Sequence, residues 1–234
     1  MKSLVVIPAR WESTRFPGKP LELVGEKPMI ECVWEKAVQS SADEVWIATD
    51  DKRIFECAIG FGARAMMTTQ CNTGTDRVIQ VYQTLDSSII VNVQGDEPFI
   101  NPEDINQVID LIKQNPTNTV ATLKSNLTEE ELTDNNTVKI MSSHSSGSVI
   151  EFTRNNVKGK SWFKHIGIYG YSSDALDKIL HMEPTQNSID NSLEQLTWIE
   201  NGVEMVAGYT EYKSFGIDTP SDLEKANKYI KQQK

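Results

Sequence analysis

The apolar positions of this chain fall into short runs that alternate between two periods. Ser3 to Ile7 is a continuous β-branched run followed by Pro, Gly and Arg, which predicts a buried strand feeding a loop over residues 8 to 20. Met29, Ile30, Val33, Trp34, Ala37 and Val38 then recur at helical spacing behind Pro28, a suitable helix start. The alternation continues with a strand at Glu44 to Thr49, a helix at Arg53 to Ile59, a strand at Ala63 to Met67, a helix at Asp76 to Leu85 and a strand at Ser88 to Val93. Another helix follows, with Asn101 as N-cap, Pro102 in its first position and Ile105, Val108, Ile109 and Ile112 on one face. After a strand at Thr119 to Leu123 the rhythm changes. Polar segments there separate strand candidates at 137 to 141, 148 to 153 and 164 to 171, which predicts an inserted, β-rich subdomain at about 124 to 172. Helices are expected at 173 to 181 and 190 to 200, a strand near 203 to 208, and a terminal helix marked by Leu223, Ala226, Tyr229 and Ile230, capped by Thr219, Pro220 and Asp222. The alternation predicts an α/β fold, a mostly parallel Rossmann-like sheet with helices on both faces. Such sheets bind ligands beyond the carboxyl ends of their strands, where the loops at 8 to 20 and 94 to 98 fall.

Composition narrows the function classes. With 234 residues, 38% of them hydrophobic, the chain reads as a single domain over 1 to 234. No apolar run approaches the roughly 20 residues of a membrane span, and no secretory signal is recognisable, so a cytoplasmic location is expected. Cys32, Cys57 and Cys71 are an odd set without C-x-x-C spacing, and His144, His165 and His181 are dispersed, which argues against a disulfide framework or zinc site. The net charge of −10 disfavours nucleic acid as a partner. That charge is unevenly spread, since residues 1 to 20 hold four Lys or Arg against one Glu, a net +3, leaving −13 on the remainder. A local cationic cluster on an acidic body suits a small polyanion.

Two segments carry candidate chemistry. In Pro8-Ala9-Arg10, Ser13-Thr14-Arg15 and Pro17-Gly18-Lys19-Pro20, three cations lie within ten residues after a buried strand, beside a glycine, as a phosphate-binding loop requires. Pro20 after Gly18-Lys19 excludes a Walker A loop. Gly60-Phe61-Gly62-Ala63-Arg64-Ala65 superficially fits a dinucleotide fingerprint, but it follows a helix and precedes a strand, so it reads as a helix stop. In Val91-Asn92-Val93-Gln94-Gly95-Asp96-Glu97-Pro98 a carboxylate stands just past a buried strand, placed either to hold a hard cation such as Mg2+ or to make an ordinary polar turn.

The ordered blocks PARWESTRFPGKPL, GEKPMI, TGTDR, IVNVQGDEP, KHIGIYGY, LEQL and GIDTPSDLE, spread from residue 4 to about 225, make the chain resemble the CMP-3-deoxy-manno-octulosonate (CMP-Kdo) synthetases. The resemblance implies a nucleotidyltransferase-like fold and a Mg2+-dependent cytidylyl transfer. CMP would pass from CTP to the anomeric hydroxyl of a 3-deoxy-2-ulosonic acid, releasing pyrophosphate, for lipopolysaccharide or other surface-glycan synthesis. By position it implies that Arg10 and Lys19 grip the triphosphate with Arg15 assisting, that Pro8 and Ala9 line the nucleotide site, and that Asp96 and Asp218 hold Mg2+. It also implies that Thr75, Asp76 and Arg77 lie beside nucleotide or sugar, and that Gln94, Arg154, His165, Glu194 and Gln195 line the sugar-acid site. A homodimer using the inserted subdomain is implied as well. Residue types leave other readings open: Asp218 could cap the following helix, His165 could be a satisfied strand histidine, Glu194 and Gln195 could face solvent, and Cys71 reads as a small buried or loop residue. Trp34, Trp46 and Trp198 read as core.

The chain departs from the family pattern at Cys71-Asn72 before TGT, at Thr197 after LEQL where Arg is expected, and at 155 to 160 after Arg154. All three lie away from the triphosphate loop, so the acceptor is less fixed than the donor. The sequence leaves two alternatives: a nucleotidyltransferase for another acidic sugar or a sugar 1-phosphate, and a non-catalytic nucleotide-binding protein on the same fold.

Overall fold

A computed structural model describes residues 1–143, 145–159 and 161–233; His144, and Lys160 at the end of the 155 to 160 departure, lie outside the described residues, as does Lys234. In chain order the elements are β1 (Ser3–Ala9), a 3-10 turn (Lys19–Leu21), β2 (Leu23–Val24), β3 (Lys27–Pro28), α1 (Met29–Ala37), β4 (Glu44–Thr49), α2 (Lys52–Gly60), β5 (Arg64–Met67), α3 (Gly74–Tyr82), β6 (Ile89–Asn92) and α4 (Pro102–Gln114). Then follow β7 (Thr119–Ser125), β8 (Lys139–Ser142), β9 (Val149–Thr153), β10 (Trp162–Ser172), α5 (Ser173–Ile179), α6 (Gln186–Asn191), α7 (Glu194–Glu200), β11 (Glu204–Tyr209) and α8 (Pro220–Gln233). The chain forms two compact units, Met1–Asn106 with Tyr212–Lys234, and Gln107–Glu211.

The first unit is built on parallel strands in the order β6-β1-β4-β5. All seven residues of β1 are buried, which is why its sequence runs apolar without alternation. Its register pairs Val5 with Val45 on one side and with Val91 on the other. Side chains begin the helices, at Asn101 as expected and at Asp51 and Thr73 besides. Asp51 accepts the Arg53 amide at 2.9 Å to start α2, Thr73 and Asp76 form a capping box on α3, and Asn101 accepts the Glu103 amide at 2.9 Å to start α4. The Gly60 segment is the predicted helix stop: Gly60 ends α2 and Gly62 turns the chain at φ +88°.

In the second unit β11 pairs parallel with β7, and β7, β10, β8 and β9 pair antiparallel in succession. Strands β8, β9 and β10 occupy the segment read as an insertion, inside a unit that also takes in β7, α5 to α7 and β11. Two sequence expectations are corrected here. The single helix at 190 to 200 is two, because Ser192 adopts a left-handed φ of 52° after α6, and α6 starts earlier at a Thr185 cap. Of the three tryptophans read as core, Trp198 is buried, but Trp34 and Trp46 are only partly so; Trp46 directs its Nε1 to Glu44 at 2.8 Å.

Candidate active site

Parallel pairing of β1 and β6 sets their carboxyl ends side by side, so the chain leaves both strands on one rim. The Val93 amide donates to the Val6 carbonyl at 3.1 Å and carries the pairing one residue further. Gly95 then packs so closely on β1 that a Cβ would stand 2.7 Å from the Pro8 carbonyl oxygen. Only glycine permits that approach, and it fixes Asp96 beside the start of the cationic loop.

A third segment joins through apolar packing. Val24, Met29, Ile217 and Ala226 form a buried cluster, with Phe16 from the loop, Phe99 from beyond β6 and Phe215 packed against it. Phe99 and Phe215 stack at 4.6 Å, and the Ile217 amide donates to the Asp96 carbonyl at 2.9 Å. Asp218 is therefore delivered to the same rim.

There the Lys19 ammonium sits between the two carboxylates, 2.5 Å from Asp96 Oδ2 and 3.2 Å from Asp218 Oδ1, with the Ile217 carbonyl at 3.3 Å. Lys19 is mostly buried, whereas Asp218 is half-exposed and also meets Arg15 at 3.0 Å. The alternative role for Asp218 belongs to its neighbours. Thr219 Oγ1 accepts the Asp222 amide while Asp222 Oδ2 accepts the Thr219 amide, so α8 is capped without Asp218. Arg10 lies exposed at the end of β1, and Pro8 and Ala9 are buried within it.

The donor set at this rim is oxygen only, two carboxylates, and among the described residues no group of three or more His, Cys, Asp or Glu gathers elsewhere as a metal cluster. Two carboxylates, with water and phosphate oxygens completing the shell, is the ligation Mg2+ favours. The residues fit that ion.

The α3 turn closes another side of the rim, since a Cβ on Gly74 would stand 3.5 Å from Pro8 and 3.6 Å from Gln94 Oε1. Gln94 Nε2 itself donates to Asn92 at 2.9 Å. Of the residues expected beside the ligand here, Thr75 is buried at the start of α3 and Asp76 serves in the capping box. Arg77, 2% exposed, donates to Asp50 at 2.8 Å and to Thr68. This pair braces α3 against the end of β4. A long-range ion pair of this kind leaves no periodic trace in sequence.

Four of the five expected sugar-acid residues lie in the second unit. Arg154 donates from Nε to the Asn191 carbonyl and from Nη1 to the Asn136 carbonyl, both at 3.2 Å. The fully buried Lys139 ammonium, its pKa lowered by burial, fastens the Arg154 carbonyl at 3.0 Å and the Asp134 carbonyl at 2.6 Å. Glu194 opens α7, and Gln195 beside it is buried rather than solvent-facing. Thr197, where the resemblance predicts Arg, is also buried, and its hydroxyl accepts the Thr185 amide at 3.1 Å. This residue ties α7 to the start of α6. The KHIGIYGY block also contains Tyr169. Its ring lies 5.4 Å from His165 and 5.3 Å from Trp198, and burial raises its pKa well above the ordinary value, with Glu194 adding to the effect.

His165 pairs with Lys124 of β7 just before a bulge in β10, where the register shifts between Ile166 and Tyr169. Thr122 fills the bulge, its hydroxyl 2.8 Å from the Ile168 carbonyl and 2.9 Å from His165 Nε2. The hydroxyl has one proton for the Ile166 carbonyl at 3.2 Å, the Ile168 carbonyl and His165 Nε2, so the tautomer of the ring is set by which of the three receives it. Burial, reinforced by the Arg154 charge, depresses the His165 pKa to about 3. The unfolded chain takes up this proton below about pH 6.5, whereas the folded chain resists it until about pH 3. Stability attributable to neutral His165 is therefore present above 6.5 and lost as pH falls through that window, at up to ~1.4 kcal/mol per unit. His165→Asn removes this dependence, so the stability advantage of wild type over the variant is expected to shrink by ~1–2 kcal/mol between pH 7 and pH 5 in urea titrations. A constant advantage would contradict a neutral imidazole in the folded chain. Cys71, hydrogen-bonded to the Thr69 carbonyl and raised in pKa by burial, has no thiolate character to act as a nucleophile.

A family model described as cytidylyltransferase matches residues 4–234. The chain is 42% identical to a 3-deoxy-manno-octulosonate cytidylyltransferase of Thermodesulfovibrio yellowstonii over 98% of each sequence. It is 41% identical to the enzyme of that name in Fusobacterium nucleatum, over 99% of this chain and 98% of the relative. Among solved structures, a CMP:2-keto-3-deoxy-manno-octonic acid synthetase complexed with CTP superimposes with a TM-score of 0.96 at 34% identity, covering 100% of both chains.

Proposed function

The chain belongs to the cytidylyltransferase family, and from that premise we propose that it moves CMP from CTP to the anomeric hydroxyl of 3-deoxy-manno-octulosonate or a close variant, releasing pyrophosphate. The observation that carries the reading is the Lys19 ammonium bracketed by Asp96 and Asp218 where β1 and β6 end. In the transfer the sugar oxygen bonds to the α-phosphorus as the bond to the bridging oxygen of pyrophosphate breaks. Reactions of this type need alignment and charge stabilisation rather than a protein nucleophile. Arg10, Arg15 and Lys19 offset the triphosphate charge, and the loop cations give an otherwise acidic chain a local attraction for it. Asp96 and Asp218 would hold Mg2+, which when bound neutralises phosphate charge and acidifies the attacking hydroxyl. The α3 turn, held by Asp76 and braced by Arg77, presents Thr75 to the nucleotide. In the second unit Arg154, His165, Glu194 and Gln195 would serve the acceptor, Arg154 supplying the charge for the sugar carboxylate and His165 remaining a neutral hydrogen-bonding group; Gln94 would serve it from the first.

The same premise extends to the setting: a cytoplasmic homodimer that uses the β-rich segment as its interface and feeds lipopolysaccharide or another surface glycan. No helix among the described residues is long and apolar enough to cross a membrane. The test of donor, metal and acceptor together is pyrophosphate release from CTP, with and without Mg2+, across ulosonic acids, nonulosonic acids and sugar 1-phosphates. Release is expected only with Mg2+ and is greatest with the eight-carbon ulosonic acid. Release with a sugar 1-phosphate instead would overturn the acceptor assignment, and CTP binding without release under any condition would overturn catalysis.

A further inference from the structure

Arg53 stands at the start of α2, with its side chain more than half exposed. Its guanidinium carbon is 3.3 Å from the centroid of the Trp11 ring. The guanidinium is held flat by a two-point pair with Asp51, Nε to Oδ1 at 2.9 Å and Nη2 to Oδ2 at 2.6 Å. Asp51 is fixed in turn, since it caps α2 and its amide donates to Thr49 Oγ1 at 3.2 Å. Trp11 continues the chain of contacts. Its indole lies so close to Gly18 that a Cβ there would meet the ring at 2.8 Å, and the Gly18 amide, at a φ of +74°, donates to the Trp11 carbonyl at 2.9 Å. Gly18 immediately precedes the turn that carries Lys19.

The loop from Arg10 to Gly18 contains no regular structure, and few backbone hydrogen bonds hold it. A loop with that freedom must be ordered when a ligand binds, at a cost to affinity. A cation stacked on an indole and locked by a bidentate carboxylate restrains it beforehand. We propose that Arg53 is a positioning residue: fixed by Asp51, it clamps Trp11 and holds the loop in the shape that presents Arg10, Arg15 and Lys19 to the triphosphate. The clamp's role in binding rests on the reading of this loop as the triphosphate grip, but its effect on loop order does not.

The test uses Arg53→Ala, Arg53→Lys, Trp11→Leu and the Arg53→Ala/Trp11→Leu double variant, each in the full-length protein. Limited trypsin cleavage of the Arg15–Phe16 bond without nucleotide, read by mass spectrometry, reports loop order. Steady-state kinetics report binding and chemistry separately. In Arg53→Ala, cleavage and KM for CTP are each expected to rise about three- to fivefold with kcat unchanged, and Arg53→Lys to recover part of both. The double variant is expected to be no worse than Trp11→Leu alone. Wild-type cleavage and KM in Arg53→Ala would overturn the proposal. So would additive effects in the double variant, which would mean that Arg53 meets phosphate directly. Faster cleavage in Arg53→Ala, in a protein whose wild type neither binds nor turns over CTP, would keep the clamp and overturn the triphosphate reading instead.

Discussion

Replacing Asp96 by Ala is expected to lower kcat roughly a thousandfold while leaving the protein folded. Its carboxylate is the closer of the two that flank Lys19, and it stands where β6 hands the chain to the rim, so the substitution removes a proposed metal ligand and the Lys19 partner together. The backbone that places it is untouched: Gly95 still packs on the Pro8 carbonyl, and the Asp96 carbonyl still accepts the Ile217 amide. The pair with Lys19 is partly solvated, and Lys19 keeps Asp218, so the loss of stability should stay within ~1 kcal/mol. For a chain of this length that is a fall in Tm of about 2–4 °C. Enzyme assays beside a thermal melt check both halves, and a wild-type kcat in this variant would remove Asp96 from the metal site.

Lys19→Met is the second large effect and has a distinctive signature. Without the ammonium, Asp96 and Asp218 lose the cation they share, and Arg15 still pairs with Asp218. Like charges brought that close destabilise the empty rim, and a divalent cation relieves the repulsion. Mg2+ is therefore expected to raise the Tm of Lys19→Met more than that of wild type, although the variant is the poorer enzyme. KM for CTP should rise about ten- to a hundredfold through loss of a charged hydrogen bond to phosphate. An equal Mg2+ response in both proteins would mean that the two carboxylates do not share a cation.

Much of this arrangement is legible in the sequence. β1 and β6 announce themselves because strands buried on both faces need unbroken β-branched runs, and both do run apolar into polar loops. The loops that follow carry the cations and Asp96, so half the rim could be located from strand ends alone. Asp218 could not be assigned in that way. Its neighbours Thr219 and Asp222 form the cap, and only their hydrogen bonds separate its role from theirs. The break between α6 and α7 was hidden because Ser192 takes a left-handed conformation that sequence normally signals with Gly or Asn. Long-range contacts were equally silent. Arg77 with Asp50, Lys139 with the Arg154 carbonyl, and Arg53 over Trp11 join residues that belong to separate elements, and no local period records them. Thr197 shows the opposite case: its departure from the family pattern was visible in the sequence, while its bond to the start of α6 was not.

The central claim is that this protein joins the sugar oxygen to the α-phosphorus of CTP. Phosphorus NMR of the protein with CTP, Mg2+ and 3-deoxy-manno-octulosonate labelled with 18O at the anomeric hydroxyl follows that bond directly. The account predicts that the three CTP resonances give way to equal amounts of pyrophosphate and one CMP-sugar phosphodiester, with the isotope shift on the phosphodiester alone. CTP that persists unchanged, or label that appears in the pyrophosphate, would contradict it.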